Sequence, residues 1–260
     1  MILYKTREEI SLMKESALLL GKAHGEVAKL VKAGVQTKYL NQIAEEYIKD
    51  NGAHPSFLNY NGFPASLCIS VNEIVVHGFP SSYELKDGDI ISIDCGVFLN
   101  GYHADSAYTY AVGDIDDKTK ELLEVTKKSL SVGIENMKLG GRIGDVSSSI
   151  QSYAESKGFS IVRELVGHGL GKNLHEKPDV PNFGKRGRGV KIDNGLVIAI
   201  EPMINQGKRS VVQERDGWTI RTKDRKPSAH YEHTVAMIDN KVEVLTTFEY
   251  IEEALKTQYA

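Results

Sequence analysis

Apolar residues recur every three or four positions between residues 6 and 30, and this period predicts an amphipathic helix. Thr6-x-x-Glu9 has the spacing of a capping box at the start of that helix. The positions that would share its buried face are Ile10, Met13, Ala17, Leu20, Val27 and Leu30. A second amphipathic helix is predicted between a cap at Thr37 and a stop at Gly52. The chain is therefore predicted to begin with two helices.

The pattern then changes to short runs that are rich in β-branched residues. These predicted strands cover residues 67–71, 74–77, 90–99, 161–166, 196–200 and 233–238. Helical periodicity returns between the third and fourth of them, at residues 117–137 and 145–157. Because helices and strands alternate in blocks, the sequence predicts an α+β protein.

The two blocks resemble each other, which indicates an internal repeat. The residues Lys32, Gly34, Leu40, Tyr47 and Gly52 recur 106 positions later as Lys138, Gly140, Val146, Tyr153 and Gly158. Chance could explain the helices alone, but each half also ends an apolar strand with an acid, Asp94 and Glu201, and places another acid on the following strand. We predict one catalytic domain over residues 1–260, with repeats of roughly 6–112 and 113–245 and a site between them.

The composition excludes two classes of protein. With 41% hydrophobic residues and a net charge of −3 over 260 residues, the chain is not intrinsically disordered. No apolar run approaches the ~20 residues that cross a bilayer, and no signal peptide is expected. Two cysteines, Cys68 and Cys95, are too few for a disulfide framework and are expected to be buried apolar residues. We predict a cytoplasmic protein, and nothing in the sequence requires more than a monomer.

Two acids are predicted to share one face of a hairpin. Asn100-Gly101 is the strongest short-range signal for a two-residue turn, and with that turn the numbers of facing residues sum to 201. Asp94 and Asp105 are then diagonal neighbours, with Cα atoms roughly 7–8 Å apart. A single buried Asp more often pairs with an Arg, but two carboxylates on one face repel each other unless a cation lies between them.

The second half supplies two more acids, Glu201 and Glu232, in the same pattern. Four ionised carboxylates carry a charge that two divalent ions would balance. Carboxylates with one imidazole suit Mn, Fe(II), Co or Mg better than a sulfur-rich structural zinc site. Two such metals roughly 3.5–4 Å apart are a common means of activating water for hydrolysis. The residues therefore predict metal-dependent hydrolysis of an unspecified bond.

Three of the eight histidines, His77, His168 and His175, are candidate site residues. His77 and His168 each follow a valine-containing run and precede a glycine in corresponding halves. The spacing of His168 and His175 does not fit the helical pair of a zinc protease. The glycines at 167, 169 and 171 instead predict an extended segment with close backbone approach. A lone histidine is more often a core or surface residue, so these residues alone do not settle the ligands.

Four segments of the chain resemble the signature of the type I methionine aminopeptidases. They are Asp94-x10-Asp105, His168-Gly-x-Gly with His175-Glu-x-Pro, Ile200-Glu201-Pro202-Met203, and Tyr231-Glu232-His233-Thr234. The resemblance extends over nearly the whole chain, from about residue 5 to about residue 245. It implies the pita-bread fold, in which two pseudo-symmetric α/β halves surround a central antiparallel sheet with a dinuclear metal site. It also implies removal of the initiator methionine from nascent polypeptides whose second residue is small, by attack of a metal-activated water on the first peptide bond.

The resemblance further implies a role for each matching residue. Two divalent ions (Co, Mn, Fe(II), Ni or Zn) would be held by Asp94, Asp105, His168, Glu201 and Glu232, and the catalytic residues would be His77, His175 and Glu201. Glu201 would also pass a proton to the leaving amine, and His175 would stabilise the developing oxyanion. The methionine pocket would be lined by Tyr60, Phe63, Cys68, His77 and Trp218. His77 and His175 would contact the scissile peptide. Without the resemblance, a loop tryptophan packed on the surface is also a credible interpretation of Trp218.

Two positions depart from the family pattern. Leu174 stands where bacterial members often carry an aromatic residue, and Phe57 stands where a cysteine is common. Both departures leave the shape of the pocket open while the class of activity is unaffected.

Other members of the same fold are the main alternatives. A proline-specific aminopeptidase or dipeptidase carries an additional N-terminal domain, whereas the motifs here begin by His77. Type II methionine aminopeptidases insert a helical subdomain between the last two acids, but only 30 residues separate Glu201 from Glu232. A metal-free pita-bread binding protein is disfavoured because all five ligands are present.

The segment from residue 172 to residue 226 is strongly basic. It holds 13 Lys or Arg residues against seven Asp or Glu residues, within a chain whose net charge is −3. An ordinary solvated surface is the usual interpretation of such a run. Because the implied substrate is a nascent chain, docking on ribosomal RNA near the exit tunnel is the hypothesis that we weigh against it.

Overall fold

The computed structural model describes residues 1–258, and its secondary structure follows the predicted blocks. The helices are α1 (Arg7–Ala28), α2 (Thr37–Asp50), α3 (Asp117–Glu135), α4 (Ile143–Ser156) and α5 (Glu249–Gln258), with a 3-10 turn at Tyr60–Gly62. The strands of the first half are β1 (His54–Pro55), β2 (Leu67–Val71), β3 (Ile74–Val76), β4 (Ile90–Leu99) and β5 (Tyr102–Ala111). Those of the second half are β6 (Ser160–Ile161), β7 (Val166–Gly169), β8 (Glu176–Pro181), β9 (Val197–Ile200), β10 (Met203–Asn205), β11 (Val211–Gln213), β12 (Ile220–Thr222), β13 (Ser228–His230), β14 (Glu232–Ile238) and β15 (Lys241–Val244).

A nine-stranded antiparallel sheet forms the centre of the molecule. Its main order is β1-β4-β5-β14-β9-β7-β8, and β2 and β15 pair with β4 and β14 respectively. The other two sheets within residues 1–258 have three strands each, in the orders β13-β10-β6 and β11-β12-β3. Strands of both halves therefore meet in the central sheet, where β14 hydrogen-bonds to β5 and to β9.

The predicted hairpin is confirmed residue by residue. Strands β4 and β5 pair with Leu99 opposite Tyr102, Asp94 opposite Ala107 and Asp105 opposite Gly96. Alternation of side chains then separates two faces of the sheet. The odd-numbered residues Ile91, Ile93, Cys95 and Val97 of β4 belong to the main core together with apolar residues of α1 and α2. Asp94 therefore points to the opposite face, where the site lies.

The helix boundaries confirm some predictions and correct others. Thr6 caps α1 in a capping box with Glu9, as predicted, but α1 ends at Ala28, before the predicted stop near Gly34. Thr37 is not the cap of α2, because the N-cap is Gln36. Thr37 is instead the first helical residue, and its hydroxyl donates to the Ser81 carbonyl oxygen at 3.1 Å. This tertiary partner could not be seen from the local sequence.

Two further elements differ from the prediction. The predicted strand at residues 161–166 is interrupted, since β6 ends at Ile161 and β7 begins at Val166. Helix α5 was not predicted, although it packs on α1 with Ile251 fully buried. None of the helices within residues 1–258 is long and apolar enough to span a membrane.

Candidate metal centre and substrate cavity

Five side chains from five places in the central sheet meet at one cavity. Asp94 lies on β4, Asp105 on β5 and His168 on β7, while Glu232 begins β14 and Glu201 directly follows β9. All five line the same cavity, which has a volume of about 210 Å³. The structure thus brings together every residue that the sequence analysis assigned to the metal centre.

The distances within this cluster suit metal coordination. One ligand atom each of Asp105, His168 and Glu232 lies within 4.8 Å of the other two. The His168 Nε2 atom is 3.6 Å from Glu201 Oε1 and 3.8 Å from Asp105 Oδ2. These separations are too long for hydrogen bonds but are suitable for atoms that share a cation.

The tautomer of His168 is set by the backbone of its own strand. Its Nδ1 atom lies 2.9 Å from the Gly169 carbonyl oxygen, which can only accept a hydrogen bond. Nδ1 therefore carries the proton, and the lone pair of Nε2 faces Asp105 and Glu201. A ring nitrogen that donates to a carbonyl while the other faces the metal is the usual arrangement of a metal-binding histidine.

The glycines around His168 allow this strand to lie close to its neighbours. A Cβ atom on Gly167 would collide with the Ala199 carbonyl oxygen of β9, and one on Gly169 would collide with the backbone of Lys177. The predicted extended segment with close backbone approach is confirmed. It places His168 beside Glu201, because β7 and β9 are adjacent in the sheet.

The carboxyl groups raise one another's pKa. Burial and the neighbouring Glu201 raise the pKa of Asp94 to about 7, and burial raises the pKa of Glu201 to about 8. Burial together with the other acids also raises the pKa of Asp105 and of Glu232 well above their usual ranges. Burial lowers the pKa of His168 to about 3, so this ring is neutral at physiological pH. The protein therefore gathers four carboxyl groups in a place that disfavours their ionised form.

These features test whether metal ions fit the residues present. Asp94 Oδ1 and Glu232 Oε1 are buried and have no hydrogen-bond partner within residues 1–258. Unpaired buried carboxylate oxygens are costly unless a cation compensates them. The donor set of oxygens with one neutral imidazole nitrogen is chemically suited to a divalent cation. The residues fit the metal centre that the sequence predicts.

Two histidines lie beside the metal cluster rather than within it. The ring centroid of His175 is 4.2 Å from that of His168, and its Nδ1 atom is 2.8 Å from the Tyr60 hydroxyl. His77 follows β3 in the left-handed region, with φ of +59°, and its ring lies edge-on to that of Trp218. Burial lowers the pKa of His77 to about 4. Both rings are therefore placed to contact a substrate in the cavity.

Part of the cavity wall is apolar. This part includes the predicted residues Tyr60, Phe63, Cys68 and Trp218, together with Phe57 and Leu174, the two positions that depart from the family pattern. The rings of Phe63 and Trp218 meet edge to face, with centroids 5.2 Å apart. Trp218 follows a turn and lines the cavity, as predicted, so the alternative of a tryptophan packed on an outer surface is not what the structure has. Cys68 is buried and lies directly opposite Asp94 in the β2–β4 pairing.

Two buried residues near Glu201 were missed by the sequence analysis. His230 is 2% exposed, and its Nε2 atom lies 3.6 Å from Glu201 Oε2. Asn182 is fully buried, and its Nδ2 atom donates to the Glu201 carbonyl oxygen at 2.9 Å. The recurrence of His103-x-Asp105 as His230-x-Glu232 was a signal for the first of them. No local signal marked Asn182, because only the fold brings it to Glu201.

Comparison with known proteins identifies the family. The family described as "Metallopeptidase family M24" matches residues 11–239. The chain belongs to this family. Among M24 relatives, a methionine aminopeptidase of Clostridium perfringens is 52% identical over 246 residues, which are 95% of this chain and 99% of that protein. The crystal structure of methionine aminopeptidase from Rickettsia prowazekii has a TM-score of 0.93 at 38% identity and covers 95% of this chain and 100% of its own.

The comparisons also confirm the predicted fold and rank the alternatives. The M24 chain has the pita-bread fold, with helices around a curled antiparallel sheet. A prolidase from Pyrococcus furiosus is similar at a TM-score of 0.76 and 24% identity, and the match covers 95% of this chain but 66% of that protein. That likeness shows a shared fold alone. A proline-specific enzyme and a metal-free binding protein are both disfavoured, as the sequence analysis predicted.

Proposed function

We infer that this M24 peptidase removes the N-terminal methionine from polypeptides. The observation that carries the inference is one cavity that joins a metal-binding cluster to a small apolar pocket. The high identity to a methionine aminopeptidase over 95% of the chain supports the same activity. We further propose that the substrates are nascent chains with a small second residue, which would place the activity in the cytoplasm.

We propose that two divalent ions are held by Asp94, Asp105, His168, Glu201 and Glu232. Asp105 and Glu232 are the deepest of these acids, at 3% and 2% exposed, so their ionised forms would gain most from a bound cation. Asp94, His168 and Glu201 would supply the remaining ligand atoms. When bound, the ions would supply Lewis acidity toward a water molecule and the scissile carbonyl. Co, Mn, Fe(II), Ni and Zn are all compatible with these ligands.

The remaining roles follow from the placement of the protein's own groups. Glu201 faces both the ligand cluster and the cavity, and we assign it the transfer of a proton to the leaving amine. We assign His175 the stabilisation of the developing oxyanion, because its ring lines the cavity while Nδ1 is held by Tyr60. His77 would contact the scissile peptide from the side of Trp218.

The apolar part of the cavity wall would select the methionine side chain. An aromatic wall of Tyr60, Phe63 and Trp218 with the Cys68 sulfur suits an unbranched thioether, because sulfur and aromatic rings attract each other. Phe57 and Leu174 would set the depth and width of this pocket, since both are buried and belong to the same apolar cluster.

A panel of Met-X peptides with defined metals tests the function. We expect release of methionine when X is Gly, Ala or Ser, loss of cleavage when X is Leu or Lys, and dependence on added divalent metal. An Ala-Pro substrate is the control for proline-specific activity and should not be cleaved. Cleavage of Ala-Pro in preference to Met-Gly, or equal activity after complete chelation, would contradict the inference.

We propose in addition that the basic segment at residues 172–226 docks on ribosomal RNA. Its support is that Lys185, Arg186 and Arg188 are all exposed on one loop. The other exposed cations of the same segment include Lys191, Lys208, Arg209, Arg215, Lys223, Arg225 and Lys226. Contacts between cations and phosphates need no sequence readout and weaken steeply with salt.

Sedimentation with ribosomes tests this docking. The wild-type protein should pellet with ribosomes at low salt and less so at moderate salt. A variant with Lys185, Arg186, Arg188 and Lys191 all changed to Glu should stay in the supernatant. Its activity on free peptides is the control and should be unchanged, because these side chains lie outside the cavity. Equal pelleting of the two proteins would contradict the docking.

A further inference from the structure

A buried ion pair lies behind the segment that carries His175. The Lys5 Nζ atom donates to a carboxylate oxygen of Glu176 and, at 2.8 Å, to the Leu3 carbonyl oxygen. The side chains of Lys5 and Glu176 are only 5% and 4% exposed. Charged side chains are almost never so deeply buried unless they are paired. Each of the two charges therefore depends on the other for its compensation.

The backbone holds Lys5 in place independently of this ion pair. Its N–H donates to the Gly195 carbonyl oxygen at 2.7 Å, two residues before β9 begins. Strand β9 leads directly to Glu201. The segment that precedes α1 is thus fixed to the same strand that presents one of the metal-binding acids.

Glu176 is fixed just as firmly to the segment of His175. It is the first residue of β8 and lies opposite Gly169 of β7, next to His168. Its Oε1 atom accepts a hydrogen bond from the Asn173 N–H at 3.2 Å. A Cβ atom on Gly171 would collide with the Lys5 side chain, so the loop closes tightly over the ion pair.

This geometry gives the ion pair an effect on the cavity. His175 immediately precedes Glu176 in the chain, and its ring lines the cavity while the Glu176 carboxylate contacts Lys5. There His175 contacts Tyr60 and lies beside His168. We propose that Lys5 is a positioning residue for the peptidase reaction, which acts through Glu176 on the orientation of His175. Its effect on rate depends on the role proposed above for His175.

A double-mutant cycle tests the proposal. Lys5→Met removes the charge and keeps the length of the side chain, and it is measured alone and together with His175→Ala. With metal at saturation, we expect Lys5→Met alone to lower kcat by about 10- to 100-fold, with a change in KM of a few-fold at most. Because Lys5 acts through His175, the same change in the His175→Ala background should alter kcat by less than about 2-fold. Lys5→Arg keeps the positive charge and should therefore retain most of the wild-type kcat.

Lys14→Met is the matched control, because it breaks the exposed ion pair of Lys14 with Glu243, in which both side chains are 43% exposed. It should leave kcat unchanged. Equal losses from Lys5→Met in the two backgrounds would overturn the proposal, since they would show a general effect on structure. If Lys5→Met does not fold, the charge-free pair Lys5→Met with Glu176→Met replaces it in the cycle, because such replacements of buried ion pairs are often tolerated.

The side-chain ¹H–¹⁵N spectrum of the histidines separates this proposal from the proposed function. The His175 signals are assigned with His175→Gln, and they should shift in Lys5→Met but not in Lys14→Met. If His175→Ala proves fully active, the proposed role of His175 is wrong, and the spectrum still decides whether Lys5 orients the ring. Unchanged His175 signals in Lys5→Met would overturn the positioning.

Discussion

Glu201 is the residue on which two parts of the proposed chemistry depend. Its carboxyl group faces His168 and His230 at 3.6 Å each and lines the cavity. Burial raises its pKa to about 8, so this carboxyl group holds its proton at neutral pH in the metal-free protein. In the proposed function the same side chain would serve as a ligand and as a proton carrier.

Glu201→Gln separates volume from charge at this position. We expect the variant to fold and its kcat to fall by a factor of ~10²–10⁴. The amide keeps the shape of the side chain but cannot carry the proton. The measurement is kcat on a Met-Ala peptide, with bound metal determined on the same sample. A rate within a few-fold of wild type in a metal-loaded variant would contradict the assignment of Glu201.

The two adjacent histidines should respond differently to removal. His175→Ala should lower kcat by ~10²–10³ and leave metal affinity nearly unchanged, because this ring is assigned to the substrate. His168→Ala should weaken metal binding, because its Nε2 faces Asp105 and Glu201. Titration of each variant with metal checks both expectations. The opposite result, with metal lost only from His175→Ala, would show that the roles are exchanged.

At the scale of an element, the end of β3 is constrained by its backbone. His77 has a φ of +59°, a value that residues with a Cβ atom rarely adopt. This conformation raises the energy of a non-glycine residue by roughly 1–2 kcal/mol. This backbone conformation ends the strand and directs the imidazole toward Trp218. Stored strain at this point is consistent with a residue that is placed for a substrate.

Comparison of His77→Gly with His77→Ala isolates this strain, since both changes remove the imidazole. We expect the glycine variant to be the more stable by about 1 kcal/mol, although glycine usually lowers stability in an ordered segment. Urea unfolding of the two proteins provides the measurement. An alanine variant as stable as the glycine variant would mean that the turn carries no strain.

Elements whose pairing is local were predictable from the sequence, and elements that need a distant partner were not. The β4–β5 register followed from Asn100-Gly101 alone, and it placed Asp94 and Asp105 on one face. The prediction that Thr37 caps α2 was wrong. The Thr37 hydroxyl instead donates a hydrogen bond to the carbonyl oxygen of Ser81, which is distant in sequence. Helix α5 was missed although Ile251 and Ala254 have helical spacing, since so short an amphipathic segment gains its stability from packing on α1.

The candidate site divides in the same way. The four acids of the candidate metal centre could be predicted because acids on apolar strands are conspicuous, whereas His168 was assigned to it by the family resemblance. His230, Asn182 and the Lys5–Glu176 pair were not assigned to the site. Their significance arises from burial and from contacts between segments that are distant in sequence.

At the scale of the whole molecule, the acid cluster links metal binding to pH. The pKa of Asp94 is raised to about 7 and that of Glu201 to about 8, so the folded metal-free protein binds more protons than the unfolded chain. This contribution to the free energy of unfolding therefore decreases as the pH rises from about 4 through about 8. Bound metal must displace these protons, so metal affinity should increase over the same range.

Thermal unfolding with metal and with chelator measures this linkage. The rise in Tm caused by metal should be larger at about pH 8 than at about pH 6, and calorimetry should detect proton release on metal binding near pH 7. His168 does not reverse the trend, because its pKa of about 3 keeps it neutral throughout. A Tm increase that is independent of pH would contradict the raised carboxyl pKa values.

The position of β14 between β5 and β9 has a consequence for the order in which the protein is made. Asp94 and Asp105 are synthesised and leave the ribosome well before Glu232, the first residue of β14. Until that strand inserts, the halves lack the hydrogen bonds that join them in the central sheet, and the early acids face each other without their counterparts. An unfinished chain therefore has no complete ligand set with which to retain metal. Insertion of one late strand closes the sheet and completes the proposed ligand set at the same moment, so a partly synthesised chain should hydrolyse no peptide.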